Sequence, residues 1–213
     1  MSLDEDNDLP QLSASTFAAL QEFYKELEER ELKQNDCKLT NTDVTFEEDW
    51  QLSQFWYDDK TVEDLAKLTL KIVGSNSKVA LVSCPTLYKK VKEFLGPNSE
   101  VSLYEYDQRF AAYGDDFIFY DYKSPLNVPR ERNSYYDIVI ADPPFLSDEC
   151  LTKTAVTIKF LAKEKIILCT GAIMADLAKR LLDLKQSKFI PRHRNNLANE
   201  FWCFTNFNID DYL

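Results

Sequence analysis

The amino-acid sequence predicts an α/β fold, in which helices cover both faces of a mostly parallel sheet. Two observations predict it. From residue 79 onward, short apolar segments alternate with helical segments, and these apolar segments lack a polar face. Strands that are covered on both sides have this continuous apolar character. Sheets of this class bind ligands at the carboxyl ends of their strands, so residues that directly follow a strand are the first candidates for function.

Ahead of this alternation, the chain is predicted to contain a tail, a helix and a linker. Residues 1–11 are acidic and predict a disordered tail, and residues 12–45 predict a helical extension with a polar linker. The helix is expected over Ser13–Leu32, because Phe17, Leu20, Tyr24 and Leu27 recur at helical spacing. We expect this helix to cover the sheet, with docking of the substrate as the alternative. Residues 46–213 form the predicted main domain.

The elements of the main domain follow from apolar runs and from residues that start or stop helices. A first helix is predicted from Thr61, where Thr61 and Asp64 resemble a capping box, to Gly74. Ser147 is the predicted cap of a later helix. The remaining predicted helices and strands alternate along the chain: strands 79–83, 101–106, 117–122, 137–141, 165–169, 188–190 and 200–207, and helices 87–95, 148–161 and 173–184.

Composition limits the classes of function. The formal net charge is −11, whereas nucleic-acid binders usually carry a basic face, so no nucleic-acid partner is expected. The five cysteines form no CxxC pair and predict reduced thiols in a cytoplasmic protein. The single histidine, His193, cannot build a metal site without cysteine or carboxylate ligands, and the sequence shows no such cluster, so no metal site is expected. The longest apolar runs are far shorter than the ~20 residues of a membrane helix. We expect a monomer without membrane contact.

The strongest functional signal is Asp142-Pro143-Pro144-Phe145, directly after the apolar run 137–141. Prolines cannot donate to a sheet ladder, so the strand must stop there, and each proline favours an extended predecessor. The alternative interpretation is an ordinary turn that ends a strand. The position of the motif after a buried strand, in the second half of an alternating chain, favours catalysis.

The four residues suit the binding of an amino group. The nitrogen can donate hydrogen bonds to the Asp142 carboxylate and to the Pro143 carbonyl, which leaves its lone pair directed at the methyl group of a sulfonium. Phe145 can stack on a flat base or hold an alkyl-ammonium through a cation–π contact of roughly 0.5–2 kcal/mol. Catalysis would come mainly from in-line positioning, and a lysine must first lose its proton. A desolvated pocket lowers the amine pKa and so assists this loss.

Candidate cofactor residues follow the earlier strands. Glu105 ends the second strand and is predicted to bind the ribose hydroxyls of a nucleoside cofactor, with Asp107 as the alternative. Tyr106 could pack on the adenine ring of the same cofactor. After the third strand, Asp121 is predicted to accept from the adenine amino group, with Tyr122 beside it.

The loop after the first strand has Ser83-Cys84-Pro85-Thr86 where a glycine-rich turn is usual. Ser83 and Cys84 are the candidate contacts there.

Two further regions are assigned to structure rather than chemistry. The aromatic segment 46–57 is predicted to be core, although its position ahead of the sheet would let it close over a cofactor. Asn199-Glu200 is predicted to be a hairpin, with a place near the substrate entrance as the alternative. The basic cluster Arg192-His193-Arg194 is predicted to be a solvated loop.

Together these residues resemble the eukaryotic elongation factor 1-alpha lysine methyltransferase family, members of which also bore the description putative N6-adenine DNA methyltransferase. The similarity covers nearly the whole chain except the tail and the 30–45 linker. The matching stretches are PQLSASTFAALQEFY (10–24), WQLSQFWY (50–57), EYDQRFAAYGDDFIFYDYKSPL (105–126), DIVIADPPFLSDEC (137–150), ILCTGAIM (167–174) and FIPRHRNNLANEF (189–201).

The resemblance implies a seven-stranded, Rossmann-like class I methyltransferase sheet with an antiparallel last strand. It also implies S-adenosylmethionine as methyl donor, S-adenosylhomocysteine as product and a lysine of elongation factor 1-alpha as acceptor. Asp142, Pro143, Pro144 and Phe145 match the catalytic motif, and Glu105 and Asp121 lie where the fold places cofactor acids.

Two alternatives stay open. An N6-adenine nucleic-acid methyltransferase would keep the fold and change the acceptor, but the acidic charge argues against it. A catalytically inactive interaction module is supported only by the absent glycines after the first strand. A nucleotide-dependent dehydrogenase would need G-x-G-x-x-G after that strand, and the sequence lacks it.

Overall fold

The structure is a computed structural model that describes residues 46–195 and 197–213. All of these residues except Phe46 belong to the compact unit Glu47–Leu213. The predicted acidic tail, the predicted helix Ser13–Leu32 and the predicted linker all lie outside the described residues.

The main domain is a seven-stranded sheet flanked by four α-helices among the described residues. The strands are β1 (Lys78–Val82), β2 (Glu100–Glu105), β3 (Phe117–Phe119), β4 (Tyr136–Ala141), β5 (Ala162–Gly171), β6 (Lys185–Gln186) and β7 (Phe201–Thr205). The helices are α1 (Asp59–Val73), α2 (Tyr88–Leu95), α3 (Asp148–Leu161) and α4 (Ala175–Leu182).

The strand order is β3-β2-β1-β4-β5-β7-β6. Strands β1 to β5 pair in parallel, whereas β7 pairs antiparallel with both β5 and β6. The prediction of a mostly parallel, seven-stranded sheet with an antiparallel last strand is therefore confirmed. The order reverses between β1 and β4, and such a switch point opens a crevice at the carboxyl ends of these strands.

Apolar burial explains why the central strands need no polar face. Val79, Leu81, Val139 and Ile140 are almost completely inaccessible to solvent, as expected for strands covered by helices on both sides. Several hydroxyl groups inside the core are paired with one another. The Tyr104 hydroxyl lies 2.9 Å from that of Tyr136, which satisfies both groups without water.

The observed helix ends correct two predictions. Helix α1 begins at Asp59 rather than Thr61, because the extended residue Asp58 is the cap and its carboxylate accepts the Thr61 N–H at 2.7 Å. Helix α4 covers Ala175–Leu182 rather than 173–184, since residues 172–174 form a 3-10 turn and Asp183 is left-handed (φ 52°). The predicted Gly74 end of α1 and Ser147 cap of α3 are confirmed.

Two predicted strands are also corrected. The third strand was expected over 117–122 but ends at Phe119, because Asp121 starts a turn in which its carboxylate accepts the Lys123 N–H. No strand forms at 188–190, where Pro191 follows without an N–H to donate. The sheet edge is instead β6 at Lys185–Gln186.

Candidate active site

A cavity of about 250 Å³ lies at the carboxyl ends of β1, β2, β3 and β4. Its wall is formed by the segments that follow these four strands, by residues 51–56, and by His193 and Phe201. This is the location expected for a ligand in an open α/β sheet. All the predicted site residues except Asp107 line it, namely Ser83, Cys84, Glu105, Tyr106, Asp121, Tyr122, Asp142, Pro143, Pro144 and Phe145.

Asp142 enters the cavity directly after β4. Its N–H donates to the Val82 carbonyl at 3.0 Å, which extends the pairing with β1 by one residue and fixes the start of the turn. The residue keeps some accessible surface where it meets the cavity, but protein surrounds its carboxylate on the other sides. This burial, together with the negative charge of Glu105, raises the pKa of Asp142 to about 7.

The rest of the motif forms a stiff wall with an exposed ring. Pro143 is buried and Pro144 is partly buried, whereas the Phe145 side chain is 40% exposed. The Tyr122 ring lies edge-on to the Phe145 ring at 5.8 Å between centroids, so one candidate site residue supports another. An exposed aromatic ring beside a buried carboxylate suits a ligand with both an apolar part and a positive charge.

Glu105 presents the second buried carboxylate. Its Oε1 accepts the N–H groups of Tyr106 and Asp107 at 2.9 and 3.1 Å, which fixes the side chain at the end of β2. Burial raises its pKa to about 7 in spite of these two bonds. Within the part of the chain that the structure describes, no hydrogen bond to Oε2 is found, so this atom is available to a ligand. The half-exposed Tyr106 ring lies against Phe119.

Asp107, the predicted alternative to Glu105, has a different role in the structure. Its carboxylate accepts from Gln54 Nε2 at 2.9 Å and from Arg109 Nε at 2.8 Å, and Arg109 Nη2 also donates to Gln54 Oε1. The arginine and these hydrogen bonds hold the pKa of Asp107 below its usual value in spite of burial. The carboxylate therefore anchors Gln54 and does not face the cavity.

The loop after β1 reaches the cavity without glycine. Ser83 has a left-handed backbone (φ 55°), the conformation that glycine usually supplies, and its N–H donates to the Tyr104 carbonyl at 2.9 Å. Cys84 is buried, and its thiol lies 3.5 Å from the Ile140 carbonyl. Burial raises the pKa of this thiol well above its ordinary value, so it stays protonated. Asp121 also lines the cavity, with one carboxylate oxygen bonded to the Lys123 N–H.

The cavity is covered by an aromatic segment, residues 48–57, which we call the strap. On one side Gln54 joins it to Asp107. On the other side the Glu48 carboxylate accepts from the Trp56 N–H at 2.7 Å and from Asn195 Nδ2 at 2.6 Å. The prediction that this segment is core holds for the buried Tyr57, whereas Phe55 and Trp56 line the cavity and Trp50 is 68% exposed.

His193 is the main site residue that sequence reasoning missed. It was predicted to belong to a solvated basic loop, and Arg192 and Arg194 are indeed exposed. The backbone of His193 instead pairs with that of Tyr57 in a β-bridge. The imidazole lines the cavity and packs between the rings of Tyr57 and Phe201, with centroid distances of 5.0 and 4.8 Å. A histidine between two arginines shows no hydrophobic periodicity, so nothing in the sequence indicates that the His193 side chain lines the cavity.

No cluster of His, Cys, Asp and Glu that could hold a metal ion is found among residues 46–195 and 197–213. Over the same residues, no helix is long and apolar enough to cross a membrane.

A family model described as "Probable N6-adenine methyltransferase" matches residues 48–209. The chain is 52% identical to EEF1A lysine methyltransferase 1 of Gallus gallus, over 96% of this chain and 97% of the relative. The Homo sapiens protein of the same name is 49% identical, over 97% and 96%.

The chain belongs to the EEF1A lysine methyltransferase family. Protein-lysine N-methyltransferase EFM5 of Saccharomyces cerevisiae is a more distant relative, 36% identical over 92% of this chain and 91% of its own. The predicted resemblance is thus confirmed. Among solved structures, the branched-chain polyamine synthase from Thermus thermophilus covers 83% of this chain and 62% of its own with a TM-score of 0.52 at 13% identity, which shows a shared fold.

Proposed function

We propose that this protein is an S-adenosylmethionine-dependent protein-lysine N-methyltransferase whose acceptor is a lysine of translation elongation factor 1-alpha. The observation that carries the proposal is the position of Asp142-Pro143-Pro144-Phe145 on the wall of the same cavity as the Glu105 carboxylate. The relatives also support the proposal, because two proteins named EEF1A lysine methyltransferase 1 are 52% and 49% identical to this chain.

The residues around the cavity fit the proposed methyl donor. S-adenosylmethionine offers two ribose hydroxyls and a positively charged sulfonium, and Glu105 offers an uncommitted Oε2 atom next to a second buried carboxylate. Two carboxylates that are costly to ionise in an empty cavity favour a cationic ligand, because an opposite charge lowers their pKa. Tyr106, Asp121 and Tyr122 would hold the adenine ring, and Ser83 and Cys84 would border the ligand from β1.

The motif after β4 would position the acceptor amine. The Asp142 carboxylate and the Pro143 carbonyl each accept one N–H, and Phe145 packs on the aliphatic part of the lysine side chain. The donor supplies an electrophilic methyl group on sulfur. Since no bond to the protein is formed, the contribution of these residues is orientation and the exclusion of water by the strap.

The charge of the protein favours a protein acceptor over a nucleic acid. The formal net charge is −11, which repels phosphate backbones and attracts a basic partner. The adenine alternative keeps the support of the family model's description, since adenine also offers an amino group beside a flat ring. The same motif serves both acceptors, so the acceptor must be decided by assay.

The test is methyl transfer from labelled S-adenosylmethionine into purified elongation factor 1-alpha and, in parallel, into duplex DNA. We expect label in the protein alone. Asp142→Asn should lower the rate by roughly 10²-fold, as for the loss of one electrostatic contact at a reacting centre. The matched control is Asp115→Asn, an exposed position at the amino end of β3, which should retain the wild-type rate. Label in DNA but not in protein would overturn the proposed acceptor.

A further inference from the structure

Four buried polar side-chain atoms lack a hydrogen-bond partner among the described residues: Trp56 Nε1, Tyr57 OH, Thr154 Oγ1 and His193 Nε2. Trp56 and His193 line the cavity, and the Tyr57 ring lies against the His193 ring. A buried polar atom without a partner is unfavourable, so unpaired atoms gathered at one cavity indicate a polar ligand group that pairs with them.

We propose that His193 Nε2 accepts the proton that the acceptor lysine must lose before it can be methylated. This inference rests on the proposed function, since it requires an ammonium group in the cavity. The proton passes from the lysine ammonium to the imidazole, which holds it during methyl transfer and afterwards releases it to solvent. The neutral amine next rotates so that its lone pair faces the donor, and the N–CH3 bond forms as the S–CH3 bond breaks. One proton is released for each methyl group transferred.

The surroundings of His193 keep its imidazole neutral and able to accept a proton. Burial lowers the pKa of His193, and this effect exceeds the opposing influence of the Glu48 and Asp58 carboxylates. Among the other groups around it, Phe201 is uncharged and Tyr57 stays protonated, because burial raises its pKa well above the ordinary value.

Neither flanking arginine forms a hydrogen bond with the imidazole among the described residues. Arg194 Nη2 donates to the Asp59 carboxylate at 2.8 Å, and the Arg192 side chain is exposed.

The other two titratable groups of the cavity are less suitable proton acceptors. If the Asp142 carboxylate took the proton, the amine would lose the acceptor that holds it in line. Glu105 lies at the end of β2, where its free oxygen serves the proposed ribose contact. His193 can accept the proton without disturbing either arrangement.

The decisive variant is His193→Phe, because it keeps an aromatic ring between Tyr57 and Phe201 and removes the proton-accepting nitrogen. At saturating S-adenosylmethionine, we expect the single-turnover rate at pH 7.5 to fall roughly 10²-fold. The deficit should shrink as pH rises, since the variant rate follows the neutral fraction of lysine and climbs about tenfold per pH unit below the amine pKa of ~10.4. The wild-type rate should be nearly flat over the same range.

A second variant and a control separate chemistry from structure. His193→Ala should regain rate when imidazole is added, whereas Arg192→Ala, at an exposed position on the same segment, should match the wild type. The melting temperature of His193→Phe should equal or exceed that of the wild type, because an unpaired buried nitrogen is removed.

Two results would overturn the role of His193: a His193→Phe profile parallel to the wild-type profile, or no rescue of His193→Ala by imidazole. A wild-type protein that methylates no lysine would instead overturn the proposed function.

Discussion

The replacement Glu105→Gln is expected to stabilise the protein at alkaline pH while it impairs cofactor binding. Glutamine keeps the Oε1 acceptor for the N–H groups of Tyr106 and Asp107 but cannot ionise. The pKa of Glu105 is raised from 4.5 to about 7, mainly by burial. At about 1.36 kcal/mol per pKa unit, this shift means that the ionised carboxylate lowers folding stability by about 3 kcal/mol.

The sign of the pH dependence follows from proton binding. Between pH 4.5 and 7 the folded protein holds a proton on Glu105 that the unfolded chain has released, so stability falls as pH rises through this range and levels off above it. Urea unfolding at pH 5 and pH 8 should show that Glu105→Gln removes about 2–3 kcal/mol of this decline. Glu164→Gln, at an exposed position, is the control. An unchanged decline in Glu105→Gln would refute the reasoning.

Two further positions, Ser83 and Gln54, probe the loop and the strap. Ser83→Gly should change the free energy of unfolding by less than about 1 kcal/mol, since relief of the left-handed strain offsets the added chain entropy, whereas Ser83→Val should lower it by about 1–2 kcal/mol in urea titrations. Gln54→Ala removes a hydrogen bond to the buried Asp107 carboxylate and should lower stability by about 2 kcal/mol, with weaker S-adenosylmethionine binding in calorimetry.

The sequence was sufficient for the sheet and for the residues that directly follow its strands. Continuous apolar runs identified the parallel strands, and the two prolines after β4 identified the turn that presents Asp142 and Phe145 to the cavity. These features are local, because the carboxyl end of each parallel strand lies at one sheet edge whatever the details of packing. Strand length was less predictable, as the early turn at Asp121 shows.

The remaining wall of the cavity depends on contacts between distant parts of the chain. Gln54 and Asp107 are 53 residues apart, and Glu48 and Asn195 are 147 apart, so no local pattern indicates their pairing. The choice between Glu105 and Asp107 was open for the same reason. The contact of Asp107 with Gln54 in the strap shows its structural role, and the bridge to Tyr57 places His193 at the cavity.

The two buried carboxylates of the cavity lower folding stability when they ionise, and the same two groups determine which ligand charge the cavity favours. Burial opposes ionisation of both Glu105 and Asp142, and the two carboxylates repel each other. The proposed methyl donor has a positive sulfonium, and the proposed acceptor arrives as an ammonium. Each cation stabilises the ionised carboxylates. Ligand binding therefore offsets the loss of folding stability that ionisation of these two groups causes above neutral pH. An acidic cavity that is unfavourable when empty therefore selects for positive ligands and disfavours the neutral adenine ring as the second ligand.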